Sequence, residues 1–326
     1  MSWLVNSNYI FIISGLFSAL ITVKVFPFVK NIGLKFKVID DPDPRKMHSK
    51  PTVRLGGLTL IISFVFTVSL IYFFINDQNF IDKHIDIILL SAAISFVIGM
   101  LDDIFTVPYF FRLIGQIIVS IMIWQNGINI TFIDLSFLPF LSNNYFYLND
   151  SFSLIINILW FCGVINSINW IDGLDGLAAG ISLIICFGLA FISIANGNLS
   201  IALLSIILAG SCLGFLKNNF YPAKIMMGDG GSYFLGTNIA LLSFLAVAKS
   251  DGQINLFIPF TLLIVPILDM TYVIISRIQN KLSPFYPDRR HLHHRLINYG
   301  FSYKKTVCII YLLNFIAVSL SIRMNS

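Results

Sequence analysis

The sequence predicts an all-α polytopic membrane protein of about ten transmembrane helices, with its charged loops gathered on the cytoplasmic side. Hydrophobic residues make up 57% of the 326 residues and charged residues only 11%. A soluble domain carries about 25% charged residues, so this chain cannot solvate the outside of a globule. Uncharged runs of bilayer-crossing length, such as residues 56–75 and 232–248, recur from end to end.

The spans are expected near residues 8–29, 56–75, 87–101, 112–127, 152–168, 175–195, 199–216, 232–249, 254–276 and 306–323. The long run without charge from Gly176 to Leu216 is divided at Ala195-Asn196-Gly197-Asn198, where turn chemistry interrupts it. Lysine and arginine set the orientation, because positive residues of short loops stay in the cytoplasm. One cluster, Lys30, Lys35, Lys37, Arg45, Lys46, Lys50 and Arg54, follows the first span; another, Arg277, Lys281, Arg289, Arg290, Arg295, Lys304 and Lys305, precedes the last. Both loops are therefore expected inside.

The first span lacks the basic n-region of a cleavable signal peptide, its first lysine being Lys24, and is expected to be retained. Cys162, Cys186, Cys212 and Cys308 lie singly in apolar runs and form no metal or disulfide pattern. The net charge of +5 suits anionic lipid headgroups or an anionic substrate, with nucleic acid a poor third choice. No repeat or linker divides the chain, so residues 1–326 read as a single domain. Residues 128–151 open with the alternating run Ile128 to Ile133 and predict a small external hairpin.

With that topology the acidic residues sort to one side. Asp102 and Asp103 end the third span, Asp172 and Asp175 lie between the fifth and sixth, Asp229 precedes the eighth, and Asp269 nears the inner end of the ninth. A carboxylate within the bilayer costs roughly 2.5–3.5 kcal/mol on insertion scales and usually lines a site or pairs. Separate loops supplying carboxylates to one surface point to a polyanion or metal site.

Each element also has a plainer explanation. Asp102-Asp103 alone would be ordinary helix-end charge. Asp172 and Asp175 would share a face if the segment is helical, and Gly173, Gly176 and Gly180 would make a small-residue packing seam, which explains the glycines but not the aspartates. Met227-Gly228-Asp229-Gly230-Gly231-Ser232 leads into a span, so its free amides would suit phosphate at a helix N-terminus. It is neither a P-loop nor a dinucleotide fingerprint. The stretch from Asp288 to Arg295 holds His291, His293 and His294 among arginines. Zinc lacks matching ligands there, whereas guanidinium groups suit a diphosphate. Arg112, with Gln116 one turn on, completes the polar set or snorkels.

These blocks together resemble the polyprenyl-phosphate N-acetylhexosamine-1-phosphate transferases, of glycosyltransferase 4 type, which begin bacterial cell-surface glycan synthesis. The resemblance runs from Arg45 to Arg295. Its blocks are Arg45-Lys46-x-His48 to Arg54-x-Gly56-Gly57, Asp102-Asp103, Asn166-x-x-Asn169-x-x-Asp172-Gly173-x-Asp175-Gly176, Met227-Gly228-Asp229-x-Gly231-Ser232, Pro266-x-x-Asp269, and His291-x-His293-His294. The histidine spacing resembles the branch using simple N-acetylhexosamine nucleotides rather than the muramoyl-pentapeptide branch. Trp170, Val53 and Gly230 depart from the family's commoner residues.

The resemblance implies cytoplasmic catalytic loops in the bacterial inner membrane, and transfer of N-acetylhexosamine 1-phosphate from UDP-N-acetylhexosamine to undecaprenyl phosphate with release of UMP. N-acetylglucosamine is the expected sugar, and O-antigen, common antigen or teichoic acid the expected kind of product. It implies Mg2+, with Mn2+ an alternative, held by Asp229 with Asn169 as second ligand. Asp102 and Asp103 would orient or deprotonate the acceptor, and Asp172 and Asp175 would complete the catalytic set. Lys46, Arg112, Asn166, Asn169, His291, His293 and His294 would bind substrate. A homodimer is admitted as well as a monomer. A muramoyl-pentapeptide transferase and, from another class, an ion-coupled transporter are the alternatives, although a transporter would favour internal repeats and midplane residues.

Overall fold

The computed structural model describes residues 2–40, 51–74, 80, 82–134, 145–248, 256–286 and 288–325. Helix α1 (Ser2–Lys35) is followed by a two-residue antiparallel ladder between β1 (Ile39–Asp40) and β2 (Thr52–Val53), which ties down the ends of the first loop. Next come α2 (Gly57–Phe74), α3 (Ile85–Phe105) and α4 (Tyr109–Gln125), then the hairpin strands β3 (Phe132–Asp134) and β4 (Tyr145–Tyr147). Phe132 pairs with Tyr147, as the alternation from Ile128 predicts. The remaining helices are α5 (Asp150–Ile171), α6 (Leu177–Ala195), α7 (Leu199–Asn219), α8 (Gly228–Val247), α9 (Phe257–Leu262), α10 (Ile264–Gln279), α11 (Leu292–Asn298) and α12 (Tyr303–Asn325).

Among the described residues, eight helices are long and apolar enough to cross a membrane, and α4 is a shorter apolar helix. The ninth expected span is not one helix. It breaks at Leu263 between α9 and α10. Pro266 has no N–H to return to the Leu262 carbonyl, and its ring crowds that carbonyl, so the helix restarts instead of continuing.

Helix α8 is the axle of the bundle. It packs against α2, α3, α5, α6 and α7, and nearly all its residues are buried. Small residues permit these close contacts, since lipid supplies no hydrophobic drive between helices. A Cβ on Gly57 would strike the backbone of Gly231, so α2 and α8 meet backbone to backbone only because Gly57 has none. Gly228 enters α8 at φ +73, a conformation glycine adopts without strain. Elsewhere buried hydroxyls bridge helices. Ser211 on α7 lies 2.8 Å from Ser18 on α1 and 3.0 Å from Ser63 on α2, so each group finds a partner away from water. The consequence for function is positional: α8 holds Asp229, in its first turn, against the end of α3.

Candidate active site

Two arginines and three carboxylates interlock where α3, α4 and α8 meet. One Arg112 nitrogen, Nη1, lies 2.5 Å from Asp102 Oδ2 and 3.1 Å from Asp229 Oδ2. Arg54, from the loop entering α2, places Nη2 2.8 Å from Asp229 Oδ1 and Nε 2.9 Å from Asp103 Oδ1. Asp229 is thus gripped from both sides. Buried carboxylates persist only when paired in this way.

The adjacent aspartates of α3 do different jobs. Asp103 accepts the amide of Asp229 at 2.8 Å and that of Gly230 at 2.9 Å, so its carboxylate caps α8 and takes amides that the sequence offers to phosphate. Asp102 instead faces Arg112. Asp172 caps the C-terminus of α5 and lies within electrostatic reach of Asp229, Arg54 and Asp103.

Asp172 and Asp175 do not share a helical face, since a turn separates α5 from α6. Asp175 Oδ2 accepts the Ala223 amide at 2.9 Å, and the Asp175 amide donates to the Tyr303 hydroxyl. The Gly176 amide donates to Asn219 Oδ1 at 3.0 Å, and the Tyr311 hydroxyl donates to the Gly176 carbonyl at 2.5 Å. Side chains from α7 and α12 therefore clamp this turn, and Asp175 is one of its fastenings.

A polar cavity of 280 Å³ opens beside the carboxylates, lined by Arg112, Asn166, Asn169, Trp170, Arg277 and His291 among others. Asn166 Nδ2 donates to Gln116 Oε1 at 2.7 Å, and Asn169 Nδ2 donates to Ser232 Oγ at 2.9 Å. His291 Nδ1 lies 2.9 Å from Asp269 Oδ2, and Asp269 Oδ1 also accepts the Leu292 amide. A single carboxylate thereby orients the histidine and the start of α11.

The three histidines differ in environment. His293 is 1% exposed and its ring packs so closely on Gly173 that a Cβ there would collide with it. Burial, with His294 and His291 adjacent, holds the His293 imidazole well below its usual range and so neutral. His294, half-buried, is lowered for the same leading reason. Asp288 is subject to burial that opposes ionisation, yet Arg277 holds its carboxyl below the usual carboxylate range.

Of the residues expected from sequence, Asp102, Asp103, Asp229, Arg112 and Asn169 converge, Asn166 and His291 join them on the cavity wall, and Asp172 stands nearby. Asp175 and His293 are engaged in packing and fastening. Lys46 lies outside the described residues, as do Arg45 and His48. Arg54, Asp269 and Arg277 carry more of the site than their sequence positions suggest. The sequence marks Arg54 as a basic residue of the first loop, two positions before Gly56-Gly57, and gives no sign of its partner Asp229.

The donors suit magnesium. Among the described residues no three His, Cys, Asp or Glu side chains gather as a metal cage. Magnesium commonly binds through one or two carboxylates with substrate phosphates completing its shell. Asp102 and Asp229 come from different helices to one guanidinium nitrogen, and the Asn169 carboxamide reaches Asp229. Two carboxylates, one of them accepting from the Asn169 carboxamide N–H, therefore converge where positive charge already sits.

Fold and site together define a multi-pass membrane protein whose ionisable residues assemble at one mouth of its helix bundle. Residues 85–247 match the model of glycosyl transferase family 4. The chain is 38% identical over 96% of its length, and 85% of the relative's, to a probable undecaprenyl-phosphate N-acetylglucosaminyl 1-phosphate transferase of Bacillus subtilis. It is 32% identical over 91% of its length, and 79% of the relative's, to a decaprenyl-phosphate N-acetylglucosaminephosphotransferase of Mycobacterium leprae. An undecaprenyl-phosphate alpha-N-acetylglucosaminyl 1-phosphate transferase of Escherichia coli is 25% identical over 87% of the chain and 75% of the relative. The chain belongs to glycosyl transferase family 4.

Proposed function

We propose that this protein transfers N-acetylglucosamine 1-phosphate from UDP-N-acetylglucosamine to undecaprenyl phosphate, releasing UMP, on the cytoplasmic face of the bacterial inner membrane. The observation that carries the reading is Arg112 bridging Asp102 and Asp229 at the rim of the polar cavity. Paired cations and carboxylates at one point are what phosphoryl transfer requires, because that chemistry is mostly positioning and charge neutralisation. The relatives' names supply the sugar and the polyprenyl acceptor.

An oxygen of the lipid phosphate attacks the β-phosphorus of the nucleotide sugar. The bond from that phosphorus to the bridging oxygen breaks, and UMP leaves with the electron pair. A phosphate monoester has its second pKa near 6, so at neutral pH the acceptor is largely deprotonated and Asp102 acts chiefly to orient it. Arg112 and Arg54 stabilise phosphate charge, and Asn166 and His291 hold the donor. Asp229 and Asn169, with Asp102, would hold Mg2+, which supplies charge neutralisation on the diphosphate. An apolar cavity of 480 Å³ along α5, α9 and α10, lined by Leu159, Trp160, Phe260 and Met270 among others, suits the acceptor's isoprenoid chain.

The test is incubation of purified protein with radiolabelled UDP-N-acetylglucosamine and undecaprenyl phosphate. Lipid-linked sugar and UMP should form with Mg2+, stop with a chelator, and be lost in Asp229→Ala. Full activity in that variant would remove Asp229 from the metal site, and absence of lipid-linked sugar from the wild type would overturn the reading. A panel of UDP-sugars in the same assay includes the muramoyl-pentapeptide donor.

A further inference from the structure

Trp170, near the C-terminal end of α5, lies on the wall of the polar cavity. The Arg277 guanidinium sits 4.9 Å from the indole centroid, within cation–π range. The same guanidinium grips Asp288 through two nitrogens, Nε at 3.2 Å and Nη2 at 3.1 Å, and Nη1 donates to the Pro284 carbonyl at 2.5 Å. Arg277 is 3% exposed. The His291 ring meets Trp170 edge-on, with centroids 5.7 Å apart. Across the loop so held, Phe285 stacks on Tyr109 of α4 at 4.3 Å, and both also line the cavity.

Asp288 is shared by Arg277 and Arg290, and all three Arg277 nitrogens are engaged, two by Asp288 and one by the Pro284 carbonyl. The surface this wall turns to the cavity is largely aromatic, from Tyr109, Trp170 and Phe285. A neutral acylamino group fits such a surface: its flat amide and terminal methyl suit an indole face, while the sugar hydroxyls find carboxamides at Asn166 and Asn169. The wall is also stiff, because the side chain against Trp170 is itself fastened at three nitrogens.

We infer that Trp170, backed by Arg277 and Asp288, is the specificity-determining wall against the donor's N-acyl group and limits that group to the size of acetyl. This rests on the proposed nucleotide-sugar reaction. A rigid pocket discriminates one additional methylene by about 10–200-fold, and Trp170→Leu removes the bulk that enforces the limit.

The experiment compares kcat/KM for UDP-glucosamine donors carrying acetyl, propionyl and butyryl groups in wild type, Trp170→Leu and Trp170→Phe. Wild type should lose at least about tenfold per added methylene. Trp170→Leu should flatten that series, with its KM for the acetyl donor raised more than its kcat is lowered, and Trp170→Phe should fall between. Should Trp170→Leu not be recovered folded, the Trp170→Phe series decides. An acyl series as steep in the folded variants as in wild type overturns the inference while leaving the transferase reading standing. A wild type inactive with the acetyl donor overturns that reading and the inference with it.

Discussion

The carboxylate of Asp103 on α3 accepts the backbone amide of Asp229 at 2.8 Å, so one aspartate fixes the position of the other. Asp103 Oδ2 takes the next amide, of Gly230, at 2.9 Å, and Arg54 bridges the two carboxylates. Neighbours in sequence, Asp102 and Asp103 should therefore fail in different ways. Asp103→Ala strips the cap from α8, a loss of about 0.5–2 kcal/mol, and should lower the thermal midpoint in detergent as well as activity. Asp102→Asn keeps the side chain's shape and leaves α8 capped, so it should abolish turnover with a smaller fall in the midpoint than Asp103→Ala. Equal midpoints for the two variants would contradict the capping role.

Arg112 joins Asp102 to Asp229 through a single nitrogen. Arg112→Gln removes that charge from the place where phosphate charge must be neutralised. Its turnover should fall about 100–1,000-fold, the usual effect of deleting one key electrostatic group. Steady-state rates at saturating donor would measure it.

His293 makes stability pH-dependent. In the unfolded chain the imidazole titrates near 6.5, whereas burial keeps the folded ring neutral to lower pH. Below about 6.5 the unfolded chain binds the extra proton, so stability is full above that pH and is lost as pH falls, by about 1.4 kcal/mol per unit at most, until the folded ring protonates. The thermal midpoint should be lower at pH 5.5 than at 7.5, and His293→Phe should reduce that difference. A slope unchanged by the substitution would point to other groups.

Gly99 on α3 touches the backbone of Asp229, and a Cβ there would collide with the Asp229 carbonyl. Gly99→Ala should cost about 1–3 kcal/mol through overpacking and displace Asp229, lowering activity beyond what instability explains. Gly163 is the control. A Cβ there would meet only the Met270 methyl, at 4.0 Å, so Gly163→Ala should hold or raise the thermal midpoint, alanine being the better helix former.

Much of this protein follows from its sequence alone. Runs without charge specify the spans, because unpaired polar backbone and charge are both costly in lipid. Asn196-Gly197 divides α6 from α7 where turn chemistry predicts it. The gathering of Asp102, Asp172 and Asp229 near one mouth follows from counting spans, and the spaced aspartate, glycine and histidine blocks carry the family resemblance.

Only the tertiary structure decided what each polar residue does there. Asp103 and Asp102 are adjacent in sequence and equally acidic, and which of them caps α8 depends on how α3 packs against a helix more than a hundred residues away. Asp175 became a fastening because α12 brings Tyr303 to it, and His293 became a buried ring because Gly173 leaves room above it. Arg54 acquired its role from a contact with Asp229 that spans 175 residues of chain. Span periodicity is a local property, legible one segment at a time. Partner choice among charges is set by distances between segments, and those exist only once the helices have packed.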